Sequence, residues 1–241
     1  MNNCCICGWK GNSFLPRFKD HGRLCVCPNC RSLDRNRHLF FLLNEMILIN
    51  DDLVLLDIAP SISIMNLLSQ ICSYVAVDFD PKLQNILPAD IRNLPFAPHS
   101  FDVILCSHVL EHIENDKIGV KEIFRVLRDG GNALIQVPYK RNASTVEFNE
   151  TDKHGHVRMY GRDDFISMLT NAGFRVKAES KYNIDSNSSG FDNSEIFICN
   201  KPGDGITNQF SGFFNNLNFH LFRRSISKDH VRDIARKPVS T

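Results

Sequence analysis

Four short apolar segments lie between Leu53 and Pro138, and helix-like segments separate them. They read LVLLDI at 53–58, YVAVD at 74–78, FDVILC at 101–106 and NALIQV at 132–137. Aliphatic runs without alternation are typical of strands that are buried on both faces of a parallel sheet. With a short strand before Asp90 and further strands at 174–180 and 194–200, the pattern predicts an α/β fold. Its sheet should have seven mostly parallel strands, with helices on both faces.

Polar residues follow several of these predicted strands directly. Asp57, Asp78, Asp90 and the pair Ser107-His108 all fall at carboxyl ends, where open α/β sheets bind their ligands. Asp78 comes about twenty residues after Asp57, the spacing at which dinucleotide-binding folds place an acidic residue on a ribose diol. These residues therefore indicate where a ligand would bind, but they do not yet indicate which reaction the site performs.

Two amphipathic helices are predicted beside these strands. Leu39, Phe40, Leu42, Leu43 and Met46 recur at helical spacing, which predicts a connecting helix within residues 33–50. After the first strand, the segment DIAPSIS leads into a helix, with Pro60 expected in its first turn and Ser61 expected as its cap.

The first 32 residues contain two CxxC pairs, Cys4 with Cys7 and Cys27 with Cys30. This spacing is close to that of four-thiolate zinc sites, so we expect a small zinc-ribbon-like module at residues 1–32. Cys5 and Cys25 are spare thiols that fit no second pair. Four thiolates leave no open position for water, which favours a structural zinc. The alternative is a recognition module whose anion contacts would be Arg17, Lys19, Arg23, Arg31, Arg35 and Arg37.

Composition adds two constraints. The chain has 241 residues, 43% of them hydrophobic, and a formal charge of +1, but residues 1–50 and 201–241 are basic whereas the middle is acidic. No apolar run approaches the roughly 20 residues that span a bilayer, so we expect a soluble, cytoplasmic protein. The expected domains are the zinc module at 1–32, the connecting helix at 33–50, a catalytic domain at 51–200 and a tail at 201–241. The tail is amphipathic, and it is expected to dock on the protein or to contact a membrane peripherally.

Three blocks carry a family resemblance, namely ADIRNLPF at 89–96, SFDVILCSHVLEHI at 100–113 and EIFRVLRDGGNALIQVP at 122–138. Over roughly residues 51–200 the chain resembles class I S-adenosylmethionine-dependent methyltransferases of the small-molecule, type 11-like group, which have a Rossmann-like fold. Within that group it looks most like bacterial enzymes that also carry an amino-terminal CxxC pair and a block similar to HVRMYGRDDF at 156–165.

The resemblance implies a set of cofactor-binding residues. Asp57 and the following turn, with Ala59 and Ser61, would hold the methionine end of S-adenosylmethionine, and Asp78 would hold the ribose. Asp90 with Ile91 would take the adenine, and Phe79 and Ser107 complete the candidate set. The chain departs from the family in its first motif, where Ala59, Ser61 and Ser63 stand in place of three glycines. A turn that requires a positive φ is less favourable with these residues.

Two histidines are the candidates for catalysis. His108 lies just past the fourth predicted strand, with Glu111 and His112 on what we expect to be a short helix. His156 belongs to a run in which His154, His156, Arg158 and Tyr160 alternate, so an extended segment would place them on one face. Histidine suits a general base near neutral pH, and Arg158 would bind an anionic group of the acceptor.

The sequence therefore predicts a methyltransferase that acts on a small-molecule or glycan-like acceptor. Two alternatives stay open, an RNA methyltransferase with a zinc recognition module and a non-catalytic binding module of methyltransferase fold. The acidic middle of the chain does not favour nucleic acid as a partner. The sequence does not define the oligomeric state.

Overall fold

A seven-stranded sheet is the centre of the structure, a computed structural model that describes residues 2–17, 22–47, 52–180 and 195–203. The elements in chain order are β1 (Asn2–Asn3), β2 (Lys10–Gly11), β3 (Leu15–Arg17), β4 (Arg23–Val26), α1 (Asp34–Ile47), β5 (Val54–Ile58), α2 (Ile62–Ile71), β6 (Ser73–Asp78), β7 (Leu87–Pro88), β8 (Phe101–Ser107), α3 (Asp116–Val126), β9 (Leu127–Gln136), β10 (Tyr139–Lys140), β11 (Val146–Glu147), β12 (Arg158–Gly161), α4 (Arg162–Asn171), β13 (Arg175–Ser180) and β14 (Glu195–Asn200). A 3-10 turn spans Leu110–His112.

The large sheet has the strand order β13-β14-β9-β8-β5-β6-β7. Strands β9, β8, β5, β6 and β7 pair in parallel, and β14 is antiparallel to both of its neighbours. The prediction of an α/β fold with a seven-stranded, mostly parallel sheet is confirmed. The strand order reverses beside β5, between β6 on one side and β8 on the other, which is where such sheets form a ligand crevice.

Both faces of the sheet are covered, as the unbroken apolar strands require. Along β8 the side chains alternate, so that Val103 and Leu105 enter one core cluster and Ile104 and Cys106 enter the other. On the first face, α1 and α2 contribute buried residues that include Leu43, Met46, Ile64 and Leu68. On the second face, α3 and α4 contribute Val120, Ile123, Phe165 and Leu169.

The amino-terminal residues form two small antiparallel ladders, β1 with β2 and β3 with β4. Their apolar side chains do not form a separate core. Ile6 and Phe14 belong to the same buried cluster as Leu43 of α1 and Leu105 and Leu134 of the sheet. The predicted connecting helix is α1, and it joins the amino-terminal residues to the sheet by packing as well as by sequence.

Two basic residues that the alternative of a recognition module names as anion contacts, Arg23 and Arg37, instead make contacts within the protein. The Arg37 side chain is buried, donates hydrogen bonds to the carbonyl oxygens of Ser32 and Cys25, and lies 3.9 Å from the Phe14 ring centroid. Arg23 forms an ion pair with Asp34 at 2.6 Å. Lys19 lies outside the described residues.

The segment between β9 and α4 forms a second, three-stranded sheet in the order β10-β12-β11. This segment lies beyond the carboxyl end of β9, so it extends from the edge of the large sheet at which ligands are expected. Among the described residues, every helix is too short or too polar to cross a membrane. The predicted tail at 201–241 lies outside the described residues from position 204 onward, and the domain boundaries stay predictions.

Candidate active site

The parallel pairing brings the predicted cofactor residues to one edge of the sheet. Ile58 of β5 is in register with Val77 of β6 on one side and with Cys106 of β8 on the other. Asp57 is the penultimate residue of β5 and Asp78 is the last residue of β6, whereas Ser107 ends β8 on the opposite side of β5. The three residues therefore lie at the same edge of the sheet.

Asp57 is buried near the carboxyl end of β5. Its side chain is 5% exposed, and its Oδ2 accepts a hydrogen bond of 2.8 Å from the Tyr74 hydroxyl. Burial raises the pKa of Asp57 to about 7, although the hydrogen bond from Tyr74 acts in the opposite direction. The carboxyl group is therefore poised to ionise when a cationic group binds beside it.

The turn after Asp57 includes a residue with a positive φ, although the chain lacks the family's glycines there. Ala59 has a φ of 55°, in the left-handed region, and its N–H donates to the Val77 carbonyl at 2.8 Å. That conformation costs a non-glycine residue about 1–2 kcal/mol. Ser61 has an ordinary φ of −81°, and its Oγ lies 3.1 Å from the Ser63 Oγ. Small side chains and a left-handed turn leave the backbone open to a ligand, so the turn fits the methionine end of the cofactor.

The start of α2 differs from the prediction in one detail. The helix begins at Ile62, so Pro60 precedes the cap position instead of lying in the first turn. Ser61 does occupy the cap position, but its hydroxyl contacts Ser63 and forms no capping hydrogen bond. The first turn of α2 thus keeps its backbone N–H groups free of a side-chain cap.

Four more candidate residues lie along β6 and the loop after β7. Asp78 is half-buried, and its Oδ1 accepts a hydrogen bond of 3.0 Å from the Asp80 N–H. The neighbouring Phe79 is 75% exposed. Arg92 donates several hydrogen bonds to Asp90 and lowers the pKa of that carboxyl group. The Ile91 side chain packs in the core, so only its backbone faces a ligand.

His108 follows β8 in a strained backbone conformation, with a φ of 58°. Its Nδ1 lies 3.0 Å from Oε1 of Glu111, whose side chain is fully buried. Its Nε2 is buried and has no hydrogen-bond partner within the described part of the chain. Ser107 donates from its Oγ to Oε1 of Gln136 at 2.8 Å, so this pair joins the ends of β8 and β9. The predicted short helix is only the 3-10 turn 110–112, and His108 precedes it.

The second histidine cluster is a turn and not an extended segment, which corrects the predicted alternation. Asp152 accepts the backbone N–H groups of His154 and His156 at 2.8 and 3.0 Å, and Gly155 has a φ of 80°. The His156 ring lies 4.9 Å from the His112 ring, centroid to centroid, so the turn meets the segment that follows β8. Burial lowers the pKa of His156, although Asp152 and Glu111 act in the opposite direction.

Arg158 is a structural residue, and this overturns the expectation that it would bind an anionic acceptor. Its guanidinium group donates to both carboxylate oxygens of Glu147, at 2.8 and 3.0 Å. It also donates to the carbonyl oxygens of Leu110 and Ile113, at 3.2 and 2.5 Å, and to that of Glu114 at 2.7 Å. Its side chain is 4% exposed, so Arg158 connects β12 to the 3-10 turn instead of facing solvent.

The four CxxC thiols form a separate cluster in the amino-terminal region. The sulfur atoms of Cys4, Cys7, Cys27 and Cys30 all lie within 4.8 Å of one another. Two of the separations, Cys4–Cys30 at 3.7 Å and Cys7–Cys27 at 3.6 Å, match the roughly 3.8 Å between ligands of a tetrahedral Zn–S₄ site. The spare thiols Cys5 and Cys25 are outside the cluster, so the donor set fits the predicted zinc.

Comparisons with known protein sequences find methyltransferases. Residues 57–135 match the family model described as "Methyltransferase domain". A Mycobacterium tuberculosis protein named as a probable S-adenosylmethionine-dependent methyltransferase is 28% identical over 111 residues, which cover 42% of this chain and 40% of that protein. The demethylmenaquinone methyltransferase of Porphyromonas gingivalis is 41% identical over 46 residues, 19% of each chain. The chain thus spans less than half the length of these two curated relatives.

Solved structures give the fold. A Burkholderia thailandensis 1,6-didemethyltoxoflavin-N1-methyltransferase superposes with a TM-score of 0.54 at 15% identity, over 70% of this chain and 79% of that one. The CMeT domain of a citrinin polyketide synthase superposes with a TM-score of 0.51 at 14% identity, over 73% and 54% of the two chains. These superpositions show that the fold is that of Rossmann-like methyltransferases, and residues 57–135 are the part that matches the methyltransferase domain model.

The raised pKa of Asp57 predicts a pH dependence of stability. Its folded pKa of about 7 lies above the ordinary value of 3.8, so the folded protein binds a proton that the unfolded chain releases in this window. The stability from this group is complete below about pH 4 and is lost as the pH rises towards 7. Between pH 5 and 7.5 the free energy of unfolding of the ligand-free wild type should fall by on the order of 2 kcal/mol relative to that of Asp57→Asn. Urea unfolding of both proteins at pH 5 and pH 7.5 measures this difference. An equal change in the free energy of unfolding for the two proteins would contradict the assignment.

Proposed function

We propose that this chain is an S-adenosylmethionine-dependent methyltransferase that acts on a small-molecule or glycan-like acceptor. The observation that carries the proposal is that Asp57, Asp78 and Ser107 lie together at the switch point of the sheet, whose residues 57–135 match a methyltransferase domain model. S-adenosylmethionine, when bound, supplies a methyl group on a sulfonium centre. The residues of this chain then have to bind the cofactor, align the acceptor and accept its proton.

Cofactor binding is assigned to residues around β5 and β6. Asp57 faces the ammonium group of the methionine end, and the turn of Ala59, Ser61 and Ser63 approaches that end through its backbone. Asp78 accepts hydrogen bonds from the ribose hydroxyls, and the exposed ring of Phe79 covers the nucleoside. The small side chains of the turn and the mostly unengaged Asp78 carboxylate support this arrangement.

The adenine end is assigned to the loop after β7. The Asp90 carboxylate, held by Arg92, accepts the exocyclic amine of the base, and the Ile91 backbone contacts the ring. Ser107, fixed by Gln136, closes the crevice on the β8 side. Each of these groups is positioned by a contact within the protein, which lowers the entropy cost of binding.

His108 is the proposed general base, and His156 contributes from the facing turn. The unpartnered Nε2 of His108 supports the first assignment, because a buried polar atom without a hydrogen bond is unfavourable unless a ligand provides one. Glu111 orients the ring through Nδ1. The strained backbone of His108 also supports a functional role, since such conformations cluster at active sites.

The acceptor class is proposed from two observations. The Burkholderia neighbour is a structure with bound 1,6-didemethyltoxoflavin, a small molecule, and S-adenosylhomocysteine. In this chain residues 51–200 carry more Asp and Glu than Lys and Arg, and this excess of negative charge disfavours an approaching phosphate backbone. A small neutral or cationic acceptor, or a glycan-like one, therefore suits the site better than RNA.

The amino-terminal thiolates are proposed to hold one structural zinc ion. Cys4, Cys7, Cys27 and Cys30 would complete its coordination, and Ser32 supports them through contacts of 3.5 and 3.1 Å to the sulfurs of Cys4 and Cys30. The module has little apolar surface of its own, so the ion would supply much of its folding free energy.

Cofactor binding tests the proposal directly. Calorimetry should detect S-adenosylmethionine binding to the wild type, and Asp78→Ala should weaken it about tenfold to a hundredfold through loss of a charge-assisted hydrogen bond. Asp80→Ala is the matched control, because Asp80 is a neighbouring exposed carboxylate that forms an ion pair with Lys82. A wild type without measurable affinity would favour the non-catalytic binding module.

The role of His108 is tested by turnover. Formation of S-adenosylhomocysteine is followed with a panel of small-molecule and glycan acceptors, and with RNA as the competing class. With an active acceptor, His108→Asn should lower kcat about 100-fold to 10,000-fold and leave cofactor affinity nearly unchanged. Asn is chosen because it tolerates a positive φ. Full turnover of this variant would assign His108 to packing.

The zinc site is tested by metal analysis. Protein purified without chelator should contain zinc bound by the four thiolates, and Cys27→Ser should lose it and unfold the module. Cys25→Ser is a control at a buried thiol outside the cluster. Zinc that stays bound in Cys27→Ser, or is absent from the wild type, would rule out this ligand set.

A further inference from the structure

A second group of potential metal ligands lies at the edge of the crevice. One donor atom each of Glu111, His112 and His156 lies within 4.8 Å of the other two. Glu111 and His112 are in the 3-10 turn after β8, and His156 is in the turn before β12. Two separate segments of the chain therefore converge on one point.

Glu111 provides an independent observation that a ligand belongs there. Its side chain is fully buried, and Oε1 is engaged by His108 at 3.0 Å. Its Oε2 is buried and has no hydrogen-bond partner in the part of the chain that the structure describes. An unpartnered carboxylate oxygen in the interior costs several kcal/mol, and a cation removes that cost.

One of the two imidazoles is oriented by an outer hydrogen-bond partner. The Nδ1 of His112 lies 2.9 Å from the Gly155 carbonyl, which can only accept, so Nδ1 carries the proton and Nε2 keeps its lone pair. Metal-ligating histidines commonly contact a backbone carbonyl in this way through their other nitrogen. The Nδ1 of His156 is buried and lies at ion-pair distance, 3.1 Å, from Oδ2 of Asp152, but it has no hydrogen-bond partner in the described part of the chain.

The two segments are also fixed to each other before any ion binds. The Val157 N–H donates to the Glu111 carbonyl at 2.9 Å, and the Asp152 N–H donates to the His156 carbonyl at 3.0 Å. Arg158 holds the 3-10 turn from the other side. Such a site loses little conformational entropy when it binds a cation.

We propose that Glu111, His112 and His156 bind one divalent transition-metal ion. Two imidazoles and one carboxylate suit zinc, manganese or iron(II) better than magnesium or calcium, which prefer oxygen ligands alone. Three protein ligands leave coordination positions open, unlike the four thiolates of the amino-terminal site. This inference rests on the proposed function. In methyl transfer the ion would bind an oxygen atom of the acceptor near His108, and the part of His156 would be to bind the ion.

Cobalt(II) titration of the full chain that carries one equivalent of zinc, enough to fill only the four-thiolate site, tests the second site. Calorimetry and visible spectroscopy should detect one equivalent of cobalt with the bands of nitrogen and oxygen ligands, and without thiolate charge-transfer bands. His112→Ala and His156→Ala should each weaken binding by more than about 100-fold, because even outer partners contribute 10-fold to 100-fold. Glu111→Gln should also weaken binding, since it keeps the shape and removes the charge.

His154→Ala is the matched control. His154 is exposed and belongs to the same turn, but it is outside the three-residue group. It should keep wild-type cobalt affinity, and thermal unfolding should show that all variants fold. No cobalt equivalent in the wild type, unchanged affinity in the His112 and His156 variants, or thiolate bands would overturn the proposal. S-adenosylmethionine affinity is measured separately, so a failed metal site is distinguishable from a failed methyltransferase assignment.

Discussion

The in-register pairing of β5, β6, β8 and β9 is the constraint on which the site depends. Parallel hydrogen bonding aligns the ends of these strands, so Asp57, Asp78, Ser107 and Gln136 reach the same edge. A slip of one residue would turn each side chain to the opposite face of the sheet. The two apolar clusters prevent that slip, because alternate residues of β8 are buried in different clusters.

Arg158 fixes the position of a loop beside the sheet. Its hydrogen bonds to three carbonyl groups fix the end of the 3-10 turn, which has too few residues to satisfy its own backbone. The Tyr160 hydroxyl adds bonds to Leu110 and Asp116 from the same strand. The candidate site therefore lies beside strand ends and a loop that a buried guanidinium group holds in place.

The sheet was predictable from the sequence because unbroken aliphatic runs have few other uses. The CxxC spacing likewise identified the four thiols that the fold brings together. Arg158 was not predictable, because alternation with His156 suggests a surface strand, and only tertiary contacts reveal that its guanidinium group satisfies distant carbonyls. The proximity of Glu111 and His156 was not predictable for a similar reason. The two residues are 45 positions apart in the sequence and come close only in the folded chain.

The left-handed Ala59 has a consequence for how relatives of this chain are recognised. Its φ is imposed by the surroundings, through the bond to the Val77 carbonyl and the start of α2, and is not selected by the residue type. A turn held in this way can lose its glycine and keep its shape, at the expense of a little stability. Searches that require glycines in this loop would then pass over chains whose backbone is equally suited to the ligand. The backbone conformation of this loop therefore identifies such chains more reliably than its glycines do.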